Sequence, residues 1–405
     1  MKFRILTSAL SDGLTVAGRA INNSASLPVL SNVLIEAKID SEGKSYLAVA
    51  GTDLEIALRT RVDAKVDAAG SITVPARLLS NLTATWKQEA VTEAVLDKKR
   101  QVLNLECDGA TAQVKGITPD EYPMIALPTE ANWANVGLDP YKLRQTLDRV
   151  TFAAATDESR PILTGVYAHA KADEIHFAAA DGFRMSTVTM EANTEGVEEI
   201  KQGVIIPASA LRELARLLPG AGETVRMCFK PGQLAQVAFV LYDRDGQAET
   251  ILTTQLIQGN FPDYRQIIPK SRALRVTADT HALRRAVEGA MVFAAYGVNI
   301  VRWDVQGNRE GQQDKLVVSG QSSEMGEQDA RVDVHTDGEM DLKGDEDPYR
   351  LGQIAVNGKY VLDALRVMNE PQLTLDLTTP SSPLVLSPAG DDSMTTVIMP
   401  MHLGS

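Results

Sequence analysis

The sequence predicts an α+β protein built from three similar domains, each with two helices packed on two antiparallel sheets. An amphipathic helix followed by short strand-like segments recurs six times along the 405 residues, and such recurrence indicates a repeated structural unit. Consecutive short strands after one helix favour antiparallel pairing over the βαβ winding of parallel sheets. Two such units make a domain of ordinary size, so six units predict three domains.

The predicted helices are marked by apolar stripes and by their first residues. Leu10, Leu14 and Ala17 are spaced i, i+4 and i+7, which places their side chains on one helix face. Asp139 precedes Pro140, a capping carboxylate before a proline at the first helical position. The predicted helices span residues 7–20, 75–87, 140–152, 207–218, 280–292 and 357–369.

The segments between the helices are rich in apolar and β-branched residues, and several alternate apolar with polar positions as half-buried strands do. Two proline-containing stretches, 121–132 and 259–270, each place an aromatic residue before a proline and a second proline further on. We interpret both stretches as linkers. The sequence therefore predicts domains over residues 1–128, 129–262 and 263–405.

Positive charge is concentrated on the predicted helices. The formal net charge of −13 argues against nucleic-acid binding, because DNA-binding domains are usually basic. The six helix segments nevertheless hold twelve lysines and arginines against five acidic residues. One positive surface lined by all six helices explains this excess, and ordinary solvated helix faces are the alternative. The cations are Arg19, Arg77, Lys87, Lys142, Arg144, Arg149, Arg212, Arg216, Arg284, Arg285, Lys359 and Arg366.

The densest acidic segment, residues 324–347, holds ten aspartates and glutamates. Its composition predicts an exposed, solvated loop.

Several classes of site are absent from the sequence. It contains no glycine-rich phosphate loop and no nucleophile elbow. The five histidines are scattered, and Cys107 and Cys228 have no close partner spacing, so neither a metal, a cofactor nor a disulfide is predicted. The apolar runs are short, so we expect no signal peptide, no membrane span and a cytoplasmic location.

Asp181 and Arg184 are the best candidates for catalysis, but the stretch ADGFRM (180–185) that holds them contains no histidine or serine, so they make a poor acid–base site. A hydrolase or transferase with these two residues in a cleft is the alternative function. A non-DNA assembly or surface protein made of repeated β-rich units is a third possibility, against which the basic helix faces argue.

Seven segments point to a known family. They are SLPVLSNVLIEA (26–37), AGTDLEI (50–56), VPAR (74–77), ADGFRMS (180–186), GNFPDYRQIIP (259–269), NGKYVLDAL (357–365) and VIMPMHL (397–403). In composition and order they resemble the beta sliding clamp of bacterial DNA polymerase III, and the resemblance runs from one end of the chain to the other. FPDYR followed by a proline, and MPM near the C-terminus, are the most specific.

The resemblance implies a non-catalytic processivity factor with three DNA-clamp domains and no cofactor. Two protomers of such a clamp associate head to tail into a ring that encircles duplex DNA without sequence preference, with the helices lining the hole. The resemblance implies that Ala112 and Val114, in domain one of one protomer, face Val292 and Phe293, in domain three of the other protomer. Relatives carry a basic residue where this chain has Ser24, so that DNA contact is not expected.

The resemblance also implies a pocket for short peptide motifs of the polymerase catalytic subunit, the clamp loader and repair proteins. Flexible methionines can re-pack around different ligands, and arginine can hold polar groups at the edge. Relatives often carry an aromatic residue at position 162 and polar or charged groups at 183 and 266, so peptide preference is expected to differ. The implied pocket residues are Arg160, Ile162, Leu163, Gly182, Phe183, Arg184, Met185, Pro262, Gln266, Ile267, Val397, Met399, Pro400 and Met401.

Overall fold

The computed structural model describes residues 1–22, 27–128, 133–195, 197–230, 235–242, 249–307, 313–341 and 350–401. Within these residues, helices α1 to α7 span Thr7–Gly18, Ala76–Ala84, Pro140–Thr151, Glu198–Lys201, Ala208–Leu217, Thr280–Ala294 and Gly358–Val367. None of the described helices is both long enough and apolar enough to cross a bilayer.

The strands β1 to β25 are short, and in chain order they span Lys2–Leu6, Asn32–Ile39, Ser45–Thr52, Ile56–Asp63, Lys65–Ala68, Gly70–Pro75, Val91–Asp97, Val102–Cys107, Ala110–Lys115, Ala134–Leu138, Gly165–Lys171, Glu174–Ala180, Arg184–Glu191, Val204–Pro207, Val225–Phe229, Gln236–Tyr242, Glu249–Gln255, Leu274–Asp279, Ile300–Gln306, Lys315–Ser322, Gly326–Gly338, Arg350–Asn357, Gln372–Leu377, Leu384–Pro388 and Met394–Ile398.

All six predicted helices are confirmed, and the one-turn α4 is additional. The predicted stripe of α1 is buried, with Leu10, Leu14 and Ala17 each at most 1% exposed. The Asp139 carboxylate accepts a hydrogen bond from the Lys142 N–H at 2.8 Å, which confirms the predicted cap. Helix α2 was predicted to reach residue 87 but ends at Ala84.

The described chain forms two compact units, residues 1–144 with 192–256 and residues 145–191 with 257–405. Neither unit follows the predicted domain limits, because sheets continue from one predicted domain into the next. In the first unit one sheet has the order β10-β15-β16-β17-β4-β3-β2-β6 and a second has the order β5-β1-β7-β8-β9. In the second unit the strands follow the order β11-β12-β13-β25-β24-β23-β18-β21-β20-β19-β22.

Two glycines show that the helix-on-sheet packing repeats. Gly51 of β3 lies against the Ala17 carbonyl of α1 in the first unit. Gly320 of β20 lies in the same way against the Ala290 carbonyl of α6 in the second unit. A side chain at either position would collide with helix backbone, so only glycine lets the helix approach the strand this closely.

The acidic segment is a strand over much of its length, which corrects the predicted loop. β21 pairs with β20 through residues 326–333 and with β18 through residues 334–338. Val332 and Val334 are buried, so the strand is held by its apolar face while its acidic side chains point outward. The alternation of Ala330, Val332 and Val334 with charged residues was the available signal. Residues 342–347 lie outside the described part.

Arg149 lies in the interior of the second unit. Its side chain is 4% exposed and forms ion pairs with Glu370 and, at 3.2 Å, with Asp391. The Ser186 hydroxyl donates to the Arg149 carbonyl at 2.6 Å. Arg149 therefore cannot be a DNA-facing cation as predicted, because its guanidinium is buried between two carboxylates of the same unit.

Replacing Arg149 with alanine should lower the free energy of unfolding by about 3 kcal/mol, since it leaves Glu370 and Asp391 without their buried counter-charge. Urea unfolding followed by fluorescence measures this effect. Arg285→Ala, at an exposed position of α6, is the control and should change stability by less than about 0.5 kcal/mol. Equal losses in the two variants would contradict the buried ion-pair interpretation.

Candidate functional site

The floor of the candidate peptide site is an apolar cluster in the second unit. Met185 of β13 pairs with Val397 of β25 in antiparallel register, and both side chains are at most 2% exposed. They pack with buried Tyr264, whose ring meets Tyr167 and Phe261 edge-on at centroid distances of 6.3 and 6.4 Å. Three separate chain segments therefore converge on one apolar surface.

A tight turn at residues 181–184 forms one wall of this site. The Asp181 carboxylate accepts hydrogen bonds from the N–H groups of Phe183 and Arg184 at 2.8 and 2.9 Å. Gly182 has a φ of 92°, and a β-carbon there would lie 2.6 Å from a guanidinium nitrogen of Arg160. The left-handed backbone favours glycine at this position, and the missing side chain leaves room for the Arg160 guanidinium beside it.

The C-terminal segment closes a second wall. The Met399 N–H donates to the Phe183 carbonyl at 2.8 Å, and the Met401 N–H donates to the Ala355 carbonyl at 2.8 Å. Pro400 forms an isolated bridge with Val356. These main-chain bonds fix the three predicted C-terminal pocket residues against the turn and against β22.

Arg184 is held by both charge and aromatic rings. Its guanidinium pairs with Asp181 at 3.0 Å and with Asp363 at 2.6 Å. It also lies over the rings of Tyr360 and Phe152, at 4.6 and 5.4 Å from their centroids. This many partners fix the side chain, so it shapes the site wall as a rigid group.

Sequence reasoning missed Tyr360, Asp363 and Phe152 as members of this site. Phe183 stacks on Tyr360 at a centroid distance of 6.4 Å. Tyr360 and Asp363 lie in the segment NGKYVLDAL, whose apolar spacing predicted only a helix. Tyr360, the aromatic residue of this segment, was the available signal.

The rim of the site presents exposed apolar side chains. Phe183, Ile267 and Met399 are 54%, 41% and 39% exposed. Gln266 is exposed and donates to Asp263 at 2.9 Å. The remaining predicted pocket residues, Arg160, Pro262, Ile162 and Leu163, lie in the same unit, with the first two exposed and the last two half-buried.

The geometry gives Asp181 and Arg184 no catalytic arrangement. Both carboxylate oxygens of Asp181 accept hydrogen bonds from the turn or from Arg184. Burial lowers the pKa of His169 and of His176 from the ordinary histidine value. No group of three potential metal ligands occurs within the described residues.

Most of the predicted DNA-binding cations lie at accessible positions, and several already have a carboxylate partner. Arg19 and Arg216 both pair with Glu213, the former at 3.7 Å, and Arg366 pairs with Asp363 at 3.0 Å. The side chains of Arg77, Lys87, Lys142, Arg144, Arg285 and Lys359 are exposed.

Two further cations are half-buried. Arg284 donates to the Leu365 carbonyl. Burial, followed by the charge of Arg216, lowers the pKa of Arg212, which is the direction expected where cations are close together.

Lys87 lies beyond the end of α2, so it projects from the following turn. Ser24 lies outside the described residues.

The four residues predicted at a protomer interface differ in accessibility. Val114 is 3% exposed and packs in the core of its own sheet, so its side chain is already covered within one chain. Ala112 is half-buried on the same strand, β9. On α6, Val292 is 61% exposed and Phe293 is half-buried.

Comparison with known proteins identifies the family. Models of the DNA polymerase III beta subunit match the chain over residues 1–126 (N-terminal domain), 137–263 (central domain) and 265–402 (C-terminal domain). The chain is 30% identical to the beta sliding clamp of Synechocystis sp. over 416 residues, covering 100% of both chains. The chain belongs to the DNA polymerase III beta subunit family. These comparisons confirm the predicted sliding clamp fold of three similar domains.

Solved sliding clamps have the same fold. The DNA polymerase sliding clamp from Caulobacter crescentus is 25% identical with a TM-score of 0.84, covering 100% of both chains. The DNA polymerase III subunit beta from Pseudomonas aeruginosa is 25% identical with a TM-score of 0.83, again over 100% of both. The sliding clamps are a family of processivity factors without catalytic activity, as the sequence predicted. The hydrolase or transferase alternative is not supported.

Proposed function

We propose that two copies of this sliding clamp close head to tail into a ring around duplex DNA. The observation that carries the proposal is a strand pairing that occurs twice within the chain. β17 pairs with β4 in the first unit, and β25 pairs with β13 in the second. β17 and β25 are the last strands of predicted domains 2 and 3, and β4 and β13 are the fourth strands of domains 1 and 2. The equivalent strands that remain are β9, the last of domain 1, and β21, the fourth of domain 3. In the described residues, the outer edges of β9 and of residues 326–333 in β21 have no strand partner. Pairing β9 of each copy with β21 of the other satisfies both edges and closes a ring.

The charges of these two edges are complementary. Residues 98–100 form a basic turn, Lys-Lys-Arg. This turn lies next to the end of β9. The strand ends at Lys115, and the N–H of the next residue, Gly116, donates to the Gln101 carbonyl at 2.8 Å. On β21, Glu327 and Asp329 are exposed. Opposite charges on two facing edges favour their association and fix its orientation.

Apolar groups accompany the acidic edge. Val292, Tyr296 and Val298 are 61%, 67% and 66% exposed. A cavity of about 590 Å³ is lined by Tyr296 and Val298 together with Glu327 and Asp329. An exposed apolar patch bordered by charges is typical of a protein–protein interface, which supports this surface as the one that a second copy covers.

The exposed helix cations are the proposed DNA contacts. Lysines and arginines that face phosphates bind duplex DNA through counterion release, whatever its sequence. Without contacts to base edges no register is preferred, so the ring can slide, and it persists because a closed ring cannot dissociate sideways. Arg77, Arg285 and Lys359 are our principal candidates, because the structure shows Arg19, Arg216 and Arg366 paired with carboxylates.

The site beside β13 and β25 is the proposed docking pocket for peptide motifs of the polymerase catalytic subunit, the clamp loader and repair proteins. An apolar floor with exposed Phe183, Ile267 and Met399 at its rim suits one or two apolar anchor side chains.

The ring predicts that topology controls retention on DNA. Clamp loaded by its clamp loader onto nicked circular plasmid should co-elute with the DNA in gel filtration and be lost once the plasmid is linearised. The combined change Arg77→Glu, Arg285→Glu and Lys359→Glu should reduce loading most at low salt and make the remaining loading less dependent on salt. Equal retention on circular and linear DNA would refute encirclement.

Val292→Asp should convert the two-protomer species into single chains, because it places a charge in the proposed interface. Sedimentation velocity at micromolar concentration measures the change. Leu78→Asp is the matched control, since Leu78 is 52% exposed on α2 and outside the interface. A two-chain mass for Val292→Asp would argue against this surface.

Deleting residues 399–405 should abolish stimulation of the polymerase and lower the affinity for a polymerase-derived motif peptide by at least about tenfold. The deletion removes the Met399 side chain and the wall it forms against Phe183. Circular dichroism and sedimentation should show a folded two-chain protein. Undiminished stimulation by that folded protein would refute the pocket.

A further inference from the structure

The first unit contains a second copy of the framework that builds the peptide site. A one-turn 3₁₀ helix spans Pro28–Ser31, and another spans Pro161–Thr164 in the second unit. In each, the N–H of the leucine donates to the carbonyl of the residue before the proline at 3.0 Å, from Leu30 to Leu27 and from Leu163 to Arg160.

The tight turn also recurs. The Asp53 carboxylate accepts from the N–H groups of Glu55 and Ile56 at 3.0 and 2.8 Å, as Asp181 does from the two corresponding residues. The Asp53 N–H donates to the Ile56 carbonyl at 3.2 Å, and the Asp181 N–H donates to the Arg184 carbonyl at 3.2 Å. Leu54 therefore corresponds to Gly182, and Glu55 to Phe183.

The strand that crosses the turn is the third repeated part. The Gln255 N–H donates to the Glu55 carbonyl at 3.2 Å, as the Met399 N–H does to the Phe183 carbonyl.

The pair of an aromatic residue and a proline is the fourth repeated part. Tyr122, before Pro123, packs with Val29 and Leu30, and its hydroxyl donates to the Ala50 carbonyl at 3.3 Å. The first unit thus holds a complete set of groove-forming backbone elements.

Apolar side chains are exposed on this second framework. Leu27, Leu54 and Met124 are 52%, 52% and 98% exposed. Leu54 has a φ of 82°, in the left-handed region that a bulky side chain rarely adopts. Glycine occupies the corresponding position of the second unit without strain. Such strained residues concentrate at functional sites, so a leucine at this position points to a use for its side chain.

The two frameworks differ in the sign of their charge. The first-unit segments, residues 27–31, 50–56, 118–127 and 253–256, contain four carboxylates and no lysine or arginine. The corresponding segments of the second unit contain three arginines, Arg160, Arg184 and Arg265, against two carboxylates, Asp181 and Asp263. In the first unit Glu55, Asp120 and Glu121 are exposed, so any ligand meets negative charge around apolar side chains.

We propose that this acidic junction, made of Leu27, Leu54, Glu55, Glu121 and Met124, is a second docking surface. Its occupant is a short segment of a partner protein in which lysine or arginine flanks an apolar side chain. The apolar anchor contacts Leu27, Leu54 and Met124, and the cations pair with Glu55 and Glu121. The inference rests on the proposed function only in taking the second-unit framework as a peptide site.

Fluorescence anisotropy with the full chain tests the proposal, using a labelled Lys-Leu-Phe-Lys-Leu-Lys peptide and the same peptide with glutamate in place of lysine. The basic peptide should bind and the acidic one should not. Leu54→Gly should weaken binding of the basic peptide by about tenfold without loss of thermal stability, because glycine suits this backbone. Glu55→Gln with Glu121→Gln should weaken it to a similar extent.

Competition separates this surface from the proposed pocket. A polymerase-derived motif peptide should not displace the basic peptide, and Met399→Asp should weaken only the polymerase peptide. Undiminished binding to both the Leu54→Gly and the double-glutamine variants, or displacement by the polymerase peptide, would overturn the proposal. A change of oligomeric mass in Leu54→Gly would also overturn it, because the surface would then be covered by a second copy.

Discussion

An unpaired strand edge is the physical constraint on which the rest of this structure depends. Backbone N–H and C=O groups along an edge need partners. The last strand of one predicted domain supplies these partners to the fourth strand of another. β17 and β25 do so within the chain. The sheets therefore continue across the predicted domain limits. For this reason the limits of the two compact units differ from the limits of the three predicted domains.

Edge pairing also positions the proposed peptide site. β25 satisfies the edge of β13, and the residues that follow it are carried across the turn at Asp181, where the Met399 N–H reaches the Phe183 carbonyl. The same bonds that complete the sheet thus place a flexible methionine beside an exposed phenylalanine. The site forms where strands of two predicted domains pair, which is why its residues come from distant segments.

Local patterns predicted the helices and most strands, because periodicity and caps act over a few residues, whereas the pocket residues followed only from the resemblance to a known family. Contacts between distant segments could not be predicted in this way. Arg149 has the spacing of an exposed helix cation, but Glu370 and Asp391, more than 200 positions away in the chain, make it a buried one. Likewise Tyr360 and Asp363 enter the pocket only because α7 packs beside the turn, and Val114 is covered by its own core.

One backbone framework used twice can diverge in what it binds when two of its positions carry different residues. Arg160 lies over residue 182 because glycine has no β-carbon there. An arginine at position 27 could not lie over Leu54 in the same way, since the leucine side chain would occupy that space. These differences, Leu27 for Arg160 and Leu54 for Gly182, distinguish the two junctions. They leave one junction with cations around an apolar floor and the other with carboxylates around exposed leucines, so the two cannot favour the same peptide.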